Sequence, residues 1–473
     1  MTASSARPRA TWTFVIVSVA LFMVTLDNLV VTTALPTIRV DLGASIESLE
    51  WTVNAYTLAF AVLLLTGAAL GDRFGRRRMF TIGLAVFTAA SAGAALAPST
   101  DALVAARALQ GAGAAIVLPL TLTLLSEAVP AERRGVAIGA WSGISGLGVA
   151  LGPVVGGAVV DGISWHWIFW LNVPIGIALV PLAQRRLSES YGPSGRLDLP
   201  GMALAGLGLL GIVFGIVRGQ ALGWTSTPVL GAIGAGLLLL VAFGIWESRT
   251  AAPMLPLRFF RNRGFAATNA VSLAMFFGVF GSIFLLSQFF QTTQGLSPLE
   301  SGLRVLPWTI MPMFVAPVAG LLSDRIGARP LMVAGLALQA IAMAWLAEVS
   351  SPDVAYLSLV VPFILAGTGM ALVFAPAANA VLSSVGPQEA GQASGATNAI
   401  RELGGVLGVA VLASVFSAHG SYASPQAFVD GLTAALPVGA AVLAAGALIA
   451  ALIPRHAAVG TGAVGAEAAM AGA

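Results

Sequence analysis

Lysine and cysteine are both missing from this 473-residue chain. Without cysteine there are no disulfides and no thiolate metal sites. Without lysine there can be no nucleotide-binding loop of the Gly-x-x-x-x-Gly-Lys type, which disfavours an ATP-driven pump within the chain. Charge of either sign is scarce: 9% of residues are ionic, against about 25% in soluble proteins. The histidines, His166, His419 and His456, are too far apart to make a sequence-local metal cluster. No loop reaches the size of a soluble domain, and no nucleophile–base or metal constellation stands out, so an enzyme is disfavoured.

Apolar residues fill the gap, at 58% of the chain with a mean hydropathy of +0.92. This is the composition of an all-α polytopic membrane protein. Fourteen apolar runs can be read in order, from 13–35 to 432–452. The twelfth, 356–385, is overlong and holds Pro362 and Pro376, which predicts a kink or an early exit. An even count puts both termini on one side. The loops on that side carry most of the arginine, including Arg76, Arg77, Arg78, Arg133, Arg134, Arg185, Arg186, Arg196, Arg258, Arg261 and Arg263. The opposite side has Arg39, Arg218 and Arg304. The positive-inside rule then places both termini in the cytoplasm. The net charge of +3 reports topology rather than nucleic-acid binding. The exclusive use of arginine fits a GC-rich coding bias. The first run is too long for a signal-peptide core and reads as an uncleaved span. Residues 456–473, rich in Ala and Gly, read as a disordered tail.

Asp27 lies inside the first span, roughly 4–5 Å from its midpoint at about 1.5 Å per residue. A carboxylate there costs about 2.5–3.5 kcal/mol on insertion scales and marks a functional candidate. Arg107, within the fourth span, is the second costly charge. Economy suggests that the two interact directly, through Gln110, or through water.

Leu70-Gly-Asp-Arg-Phe-Gly-Arg-Arg77 between spans two and three recurs as Leu322-Ser-Asp-Arg-Ile-Gly-Ala-Arg329 between spans ten and eleven. Asp72, Arg73, Gly75 and Arg77 match Asp324, Arg325, Gly327 and Arg329 in offset. Each copy reads as a tight turn made possible by Gly, with an Asp–Arg pair holding neighbouring helix ends. Parallel repeats of this kind divide known transporters into two halves. The expected division is 1–190 and 251–455 as six-helix halves, with a two-helix insertion at 191–250. In span five, Gly148, Gly152 and Gly156 recur at spacing four beside Pro153 and Gly157, the small-residue pattern that lets helices approach closely.

With these motifs in place, the chain resembles the major facilitator superfamily, and within it the fourteen-helix drug:proton antiporter branch. The turn after span two matches the superfamily's loop signature, except that Ala68 stands where a first Gly belongs. Arg107-Ala-Leu-Gln-Gly-Ala-Gly-Ala-Ala115 is similar to the motif whose Arg is tied to proton movement, and Gly148 to Gly157 to the antiporter motif. Leu26-Asp27 leading to Ala34-Leu-Pro36, Trp165 to Gly176, and Gly295-Leu-Ser-Pro298 are similar to signatures of the branch, with His166 departing from its usual Arg. The resemblance implies proton-coupled export of lipophilic, cationic drugs or toxic metabolites by alternating access. It implies Asp27 and Arg107 in proton coupling and the glycine motifs in gating. Protons are the coupling ion and no other cofactor is expected. Expected partners are a small-molecule substrate and the lipid bilayer, with the chain acting as a monomer in the cell membrane. Candidate substrate contacts, chosen for polarity or an aromatic face, are Asn54, Tyr56, Gln110, Gln288, Gln291, Trp308, Met311 and Asn379. For any single one, ordinary interhelical bonding accounts as readily for its presence. Arg401 and Glu402 read as a pair at the cytoplasmic edge of span thirteen. An uptake symporter on the same fold, or a non-transporting membrane sensor, are the rival readings.

Overall fold

The computed structural model describes residues 3–129, 131–191, 198–251, 253, 255–385 and 390–453; some helical side chains, that of Asp324 among them, lie outside this description. The expected disordered tail and Arg196 also fall outside it. The chain forms α1 (Ala3–Asp41), α2 (Ile46–Phe74), α3 (Arg76–Ala95), α4 (Thr100–Ala128), α5 (Ala131–Gly162), α6 (Trp167–Trp170), α7 (Asn172–Arg186), α8 (Leu199–Leu222) and α9 (Thr227–Arg249). There follow α10 (Arg263–Gln288), α11 (Pro298–Thr309), α12 (Met311–Ile326), α13 (Ala328–Val349), α14 (Tyr356–Ser383), α15 (Ala390–His419) and α16 (Pro425–Ala450). Among the described residues, twelve helices are long and apolar enough to cross a membrane. The bent pair 46–64 and 66–74 of α2, at 50°, makes a thirteenth. Continuous α5, 32 residues long with an apolar stretch over Leu151–Gly162, occupies the expected fifth run.

Four helices that start on the side away from the arginine-rich loops, here called the far end, carry side-chain caps. Ser45 accepts from the Ser48 amide, Ser99 from Ala102 and Ser424 from Ala427. Ser297 and Glu300 form a reciprocal capping box at α11. Such caps satisfy amide donors that the first turn leaves free. The two repeated turns lie at the opposite, basic end. Gly75 has φ +103° and Gly327 φ +83°, conformations that favour glycine because they crowd a Cβ.

Helices α1 to α7 pack mainly with one another, as do α10 to α16. The pair α8 and α9 forms a hairpin whose α8 rests on both α2 and α15, lying across the seam between the two bundles. Of the kink or early exit expected within span twelve, the exit is not taken: α14 runs unbroken through Pro362 and Pro376. Span six is instead divided at Leu171 and span ten at Ile310. The edge placement of Arg401 and Glu402 also needs correction. Helix α15 starts at Ala390, so both residues lie well inside it, and Arg401 is buried at 6% exposure. The guanidinium sits 4.7 Å from the Phe374 ring centre, while Glu402 Oε2 has no hydrogen-bond partner. The small-residue run Ala390-Gly-Gln-Ala-Ser-Gly-Ala396 is weakly apolar, which hid this first part of the helix.

Candidate functional site: a buried carboxylate held by three side chains

Five helices converge on Asp27. The residue is 2% exposed on α1, and its carboxylate divides its contacts by oxygen. Arg107 Nη1 of α4 donates to Oδ2 at 2.6 Å. Gln110 Nε2 of α4 and Asn172 Nδ2 of α7 each donate to Oδ1 at 2.7 Å. Behind them, Ser91 Oγ of α3 accepts from Gln110 at 2.7 Å and from Asn172 at 3.2 Å. Arg107 is anchored further: Nη1 donates to Gln110 Oε1 at 2.7 Å and Nε to the Thr52 carbonyl of α2 at 3.3 Å. Its guanidinium lies 4.2 Å from the Tyr56 ring centre, a cation–π contact.

Arg107 and Gln110 reach the same carboxylate because a spacing of three puts them on one helical face. Close approach of α2 to α4 comes from Gly111, where a Cβ would stand 2.2 Å from the Tyr56 carbonyl oxygen. A buried ion pair survives in an apolar setting when its remaining donors and acceptors are also satisfied, and here they largely are. The arrangement can hold one negative charge dry and rigid, and can release Arg107 if that charge is neutralised.

The span-five glycines seat α5 on α1. Cβ atoms added at Gly148, Gly152 and Gly156 would meet Thr25, Leu29 and Thr33, at 2.8, 2.7 and 2.4 Å. Gly157 belongs to a different contact, facing α11 of the other bundle with Pro298 O at 2.2 Å from its would-be Cβ. Gly302 of α11 returns the contact, its would-be Cβ 2.2 Å from Pro153 O. Far-end hydrogen bonds join the bundles too: Ser287 Oγ donates to Thr32 O at 3.0 Å and Gln291 Nε2 to Thr33 O at 2.8 Å. A π-helical turn over Phe289–Thr293 ends α10 there and positions Gln291.

In the basic-end turn, Asp72 pairs with Arg76 at 2.6 Å rather than with Arg73. Arg76 also binds Glu127 at the end of α4, and the Arg77 amide donates to Glu189 Oε1 at 2.9 Å. The exposed Arg73 lies against Phe74. The pairing partner was missed because position 76 is Ala328 in the second copy, so the repeat does not mark it. Arg325 is exposed.

The substrate candidates scatter. Tyr56 and Gln110 belong to the Asp27 network, and Asn54, fully buried, has neither amide atom bonded. Gln288 bonds Phe284 O and accepts from Tyr422 at the far end. Trp308 and Met311 pack against Gly367 of α14, with Trp308 Nε1 unpartnered. Asn379 is exposed on α14. Two members of the Asp27 network, Ser91 and Asn172, were not among the candidates. Asn172 lies within the Trp165–Gly176 stretch and stood out there only as part of a pattern.

A family model of the major facilitator superfamily matches residues 17–409. The chain belongs to that superfamily. Facilitator relatives include the cephamycin export protein CmcT of Amycolatopsis lactamdurans, 40% identical over 423 residues, covering 88% of this chain and 87% of the relative. The multidrug resistance protein Stp of Mycobacterium tuberculosis is 35% identical over 408 residues, 86% of this chain and 76% of Stp. The tetracenomycin C resistance and export protein of Streptomyces glaucescens is 35% identical over 412 residues, 87% and 76%. Among solved structures, the xylose transporter XylE of E. coli in a partially occluded inward-open conformation superposes with a TM-score of 0.62 at 14% identity. That match covers 95% of this chain and 98% of XylE. The nucleoside transporter NupG gives 0.66 at 13%, covering 94% and 100%. At such identities the likeness is one of fold. The facilitator fold and the run of apolar helices make this a multi-pass membrane transporter.

Proposed function

We propose that this transporter exports lipophilic, cationic drugs or toxic metabolites from the cytoplasm in exchange for protons. The observation that carries the reading is the Asp27 carboxylate, buried and held by Arg107, Gln110 and Asn172. The printed functions of the relatives, export of cephamycin and tetracenomycin C and multidrug resistance, support the export direction. In this reading the basic end faces the cytoplasm and the protein works as a monomer in the cell membrane. A proton on Asp27 neutralises the carboxylate and frees Arg107 for Gln110, Thr52 and the Tyr56 face. Loss of that proton restores the ion pair. A cationic substrate competes with Arg107 for the same charge, so substrate and proton occupy Asp27 in alternation. Each inward proton supplies about 2.3 kcal/mol per 100 mV of membrane potential. Contacts at the far end, Gly157 with Pro298 and Gly302 with Pro153, support a state closed on that side, with alternating access reached by rocking one bundle against the other.

The test is uptake of ethidium into everted vesicles with and without an imposed proton gradient, for the wild type and Asp27→Asn. Gradient-dependent uptake is expected in the wild type and absent in the variant. Equal gradient-driven uptake by both would remove Asp27 from the coupling step.

A further inference from the structure

A second buried carboxylate lies outside the Asp27 network. Glu50, near the start of α2, is 2% exposed, and its Oε2 has no hydrogen-bond partner. It lines a far-end cavity of about 370 Å³ whose wall is drawn from three parts of the molecule. Arg39, Glu47 and Glu50 come from the first bundle, Val217 from α8 of the inserted hairpin, and Ser414 and Ser417 from α15 of the second bundle. The cavity is partly open, and it keeps this three-part wall only while the two bundles meet at the far end.

None of the charged and titratable neighbours pairs with Glu50. Glu47 is paired with Arg218 of α8 at 2.9 Å. Arg39, from α1, lies 3.8 Å from the Tyr422 ring centre, and its Nε is buried without a partner. Tyr422, in the turn after α15, donates to Gln288, and burial pushes its phenol above the usual range, so it stays protonated near neutral pH. His419 is exposed at the end of α15 and bonds Val415 O. Glu50 forms no ion pair with any of them. An ionised carboxylate left buried and unbonded is costly, whereas a protonated one is neutral and itself a donor. Separating the bundles would take away the wall that buries Glu50 and expose its carboxylate to water, where the ionised form is hydrated and the cost vanishes.

We propose that Glu50 is a second protonation site, separate from Asp27, and that its proton favours the state closed at the far end. Binding to one state alone shifts the balance toward it, and the coupling is reciprocal. The sign follows directly. More protons on the far side, the extracytoplasmic side in the proposed orientation, hold the bundles together there; fewer let them separate. One proton changes the closed-to-open ratio by at most about tenfold per pH unit. The inference rests on the transporter reading only for the existence of two states.

The absence of native cysteine permits labelling without background. Spin labels at Val40→Cys, exposed at the far end of α1, and Ala423→Cys, exposed in the loop before α16 of the opposite bundle, report the opening by electron–electron distance in vesicles. With native Glu50, the long-distance population is expected to grow as pH rises. Glu50→Gln should hold the short distance at every pH, and Glu50→Asp should keep the dependence with a displaced midpoint. Repeating the titration on Asp27→Asn should leave it intact even where transport is lost, which separates this site from the coupling residue. A Glu50→Gln protein that titrates like the native one overturns the proposal, as does an unmoved midpoint in Glu50→Asp. Loss of the dependence in Asp27→Asn would transfer the proton to Asp27 and also overturn it.

Discussion

Arg107 Nη1 lies 2.6 Å from Asp27 Oδ2, and both side chains are 1% exposed. Removing one partner of such a pair strands the other charge and costs about 3–5 kcal/mol, whereas removing both costs much less. Arg107→Gln is therefore expected to lower the melting temperature in detergent far more than the double variant Asp27→Asn/Arg107→Gln. The coupling from the cycle of single and double variants should be about 1–3 kcal/mol. Additive single effects, to within about 0.5 kcal/mol, would mean that the pair is not formed in the membrane protein.

Asn172 supplies the third bond to Asp27, and the second to Oδ1. A hydrogen bond to a charged group is worth about 1.5–3 kcal/mol, so Asn172→Ala is expected to slow gradient-driven export about tenfold or more. Ser91 bonds the two amides and not the carboxylate. Ser91→Ala should therefore slow export less than Asn172→Ala does. Initial rates of ethidium uptake into everted vesicles measure both; a Ser91 variant impaired more than the Asn172 variant would place the working contact behind the amides rather than on Asp27.

The Asp27–Arg107 relationship was legible in the sequence because membrane interiors make isolated charges expensive, and two such charges on different spans have few alternatives. Gln110 was legible as a possible bridge between the two charges, though not as a ligand of the carboxylate beside Arg107. Asn172 and Ser91 were not, since an amide or hydroxyl in a span is cheap enough to occur without a partner worth naming. Apolar runs traced the helices well for the same reason that charge was informative: lipid forces backbone bonding within each segment. They failed at 390–399, where a helix of small and polar residues carries little hydropathy of its own. The role of α8 in bridging the bundles was also invisible, because a seam between two bundles has no local pattern.

The basic-end turn separates what a repeat marks from what an ion pair uses. Arg76 bridges Asp72 and Glu127 with a side chain that is 12% exposed, while the repeated Arg73 is exposed beside Phe74. Both carboxylates are partly open to solvent, so the bridge is worth about 1 kcal/mol at most. Arg76→Ala is expected to lower stability by about that amount, and Arg73→Ala by less than about 0.5 kcal/mol. Gly75→Ala should cost more than either. It forces a Cβ onto a left-handed residue, at about 1–2 kcal/mol, and to 2.8 Å from the Glu189 carboxylate. Melting curves of the three variants check the order; an Arg73 variant weaker than the Arg76 variant would refute the assignment of the pair.

Two glycines with the same local crowding sit on different joints. A Cβ at Gly302 would lie 2.2 Å from Pro153 O across the seam between bundles, and one at Gly408 would lie 2.2 Å from Phe277 O within the second bundle. Neither carbonyl belongs to a flexible side chain, so a helix must move in each case. At Gly302 the bundles can separate as rigid bodies, which relieves the clash without unpacking either. Gly302→Ala is thus expected to lengthen the distance between labels at positions 40 and 423 and to reduce transport, with little change in melting temperature. At Gly408 no such escape exists, because α10 and α15 share one bundle core. Gly408→Ala is expected to lower the melting temperature and leave the label distance near its native value. If Gly302→Ala melted as early as Gly408→Ala with no change in distance, the α5–α11 contact would be part of the static packing and not of a joint that opens.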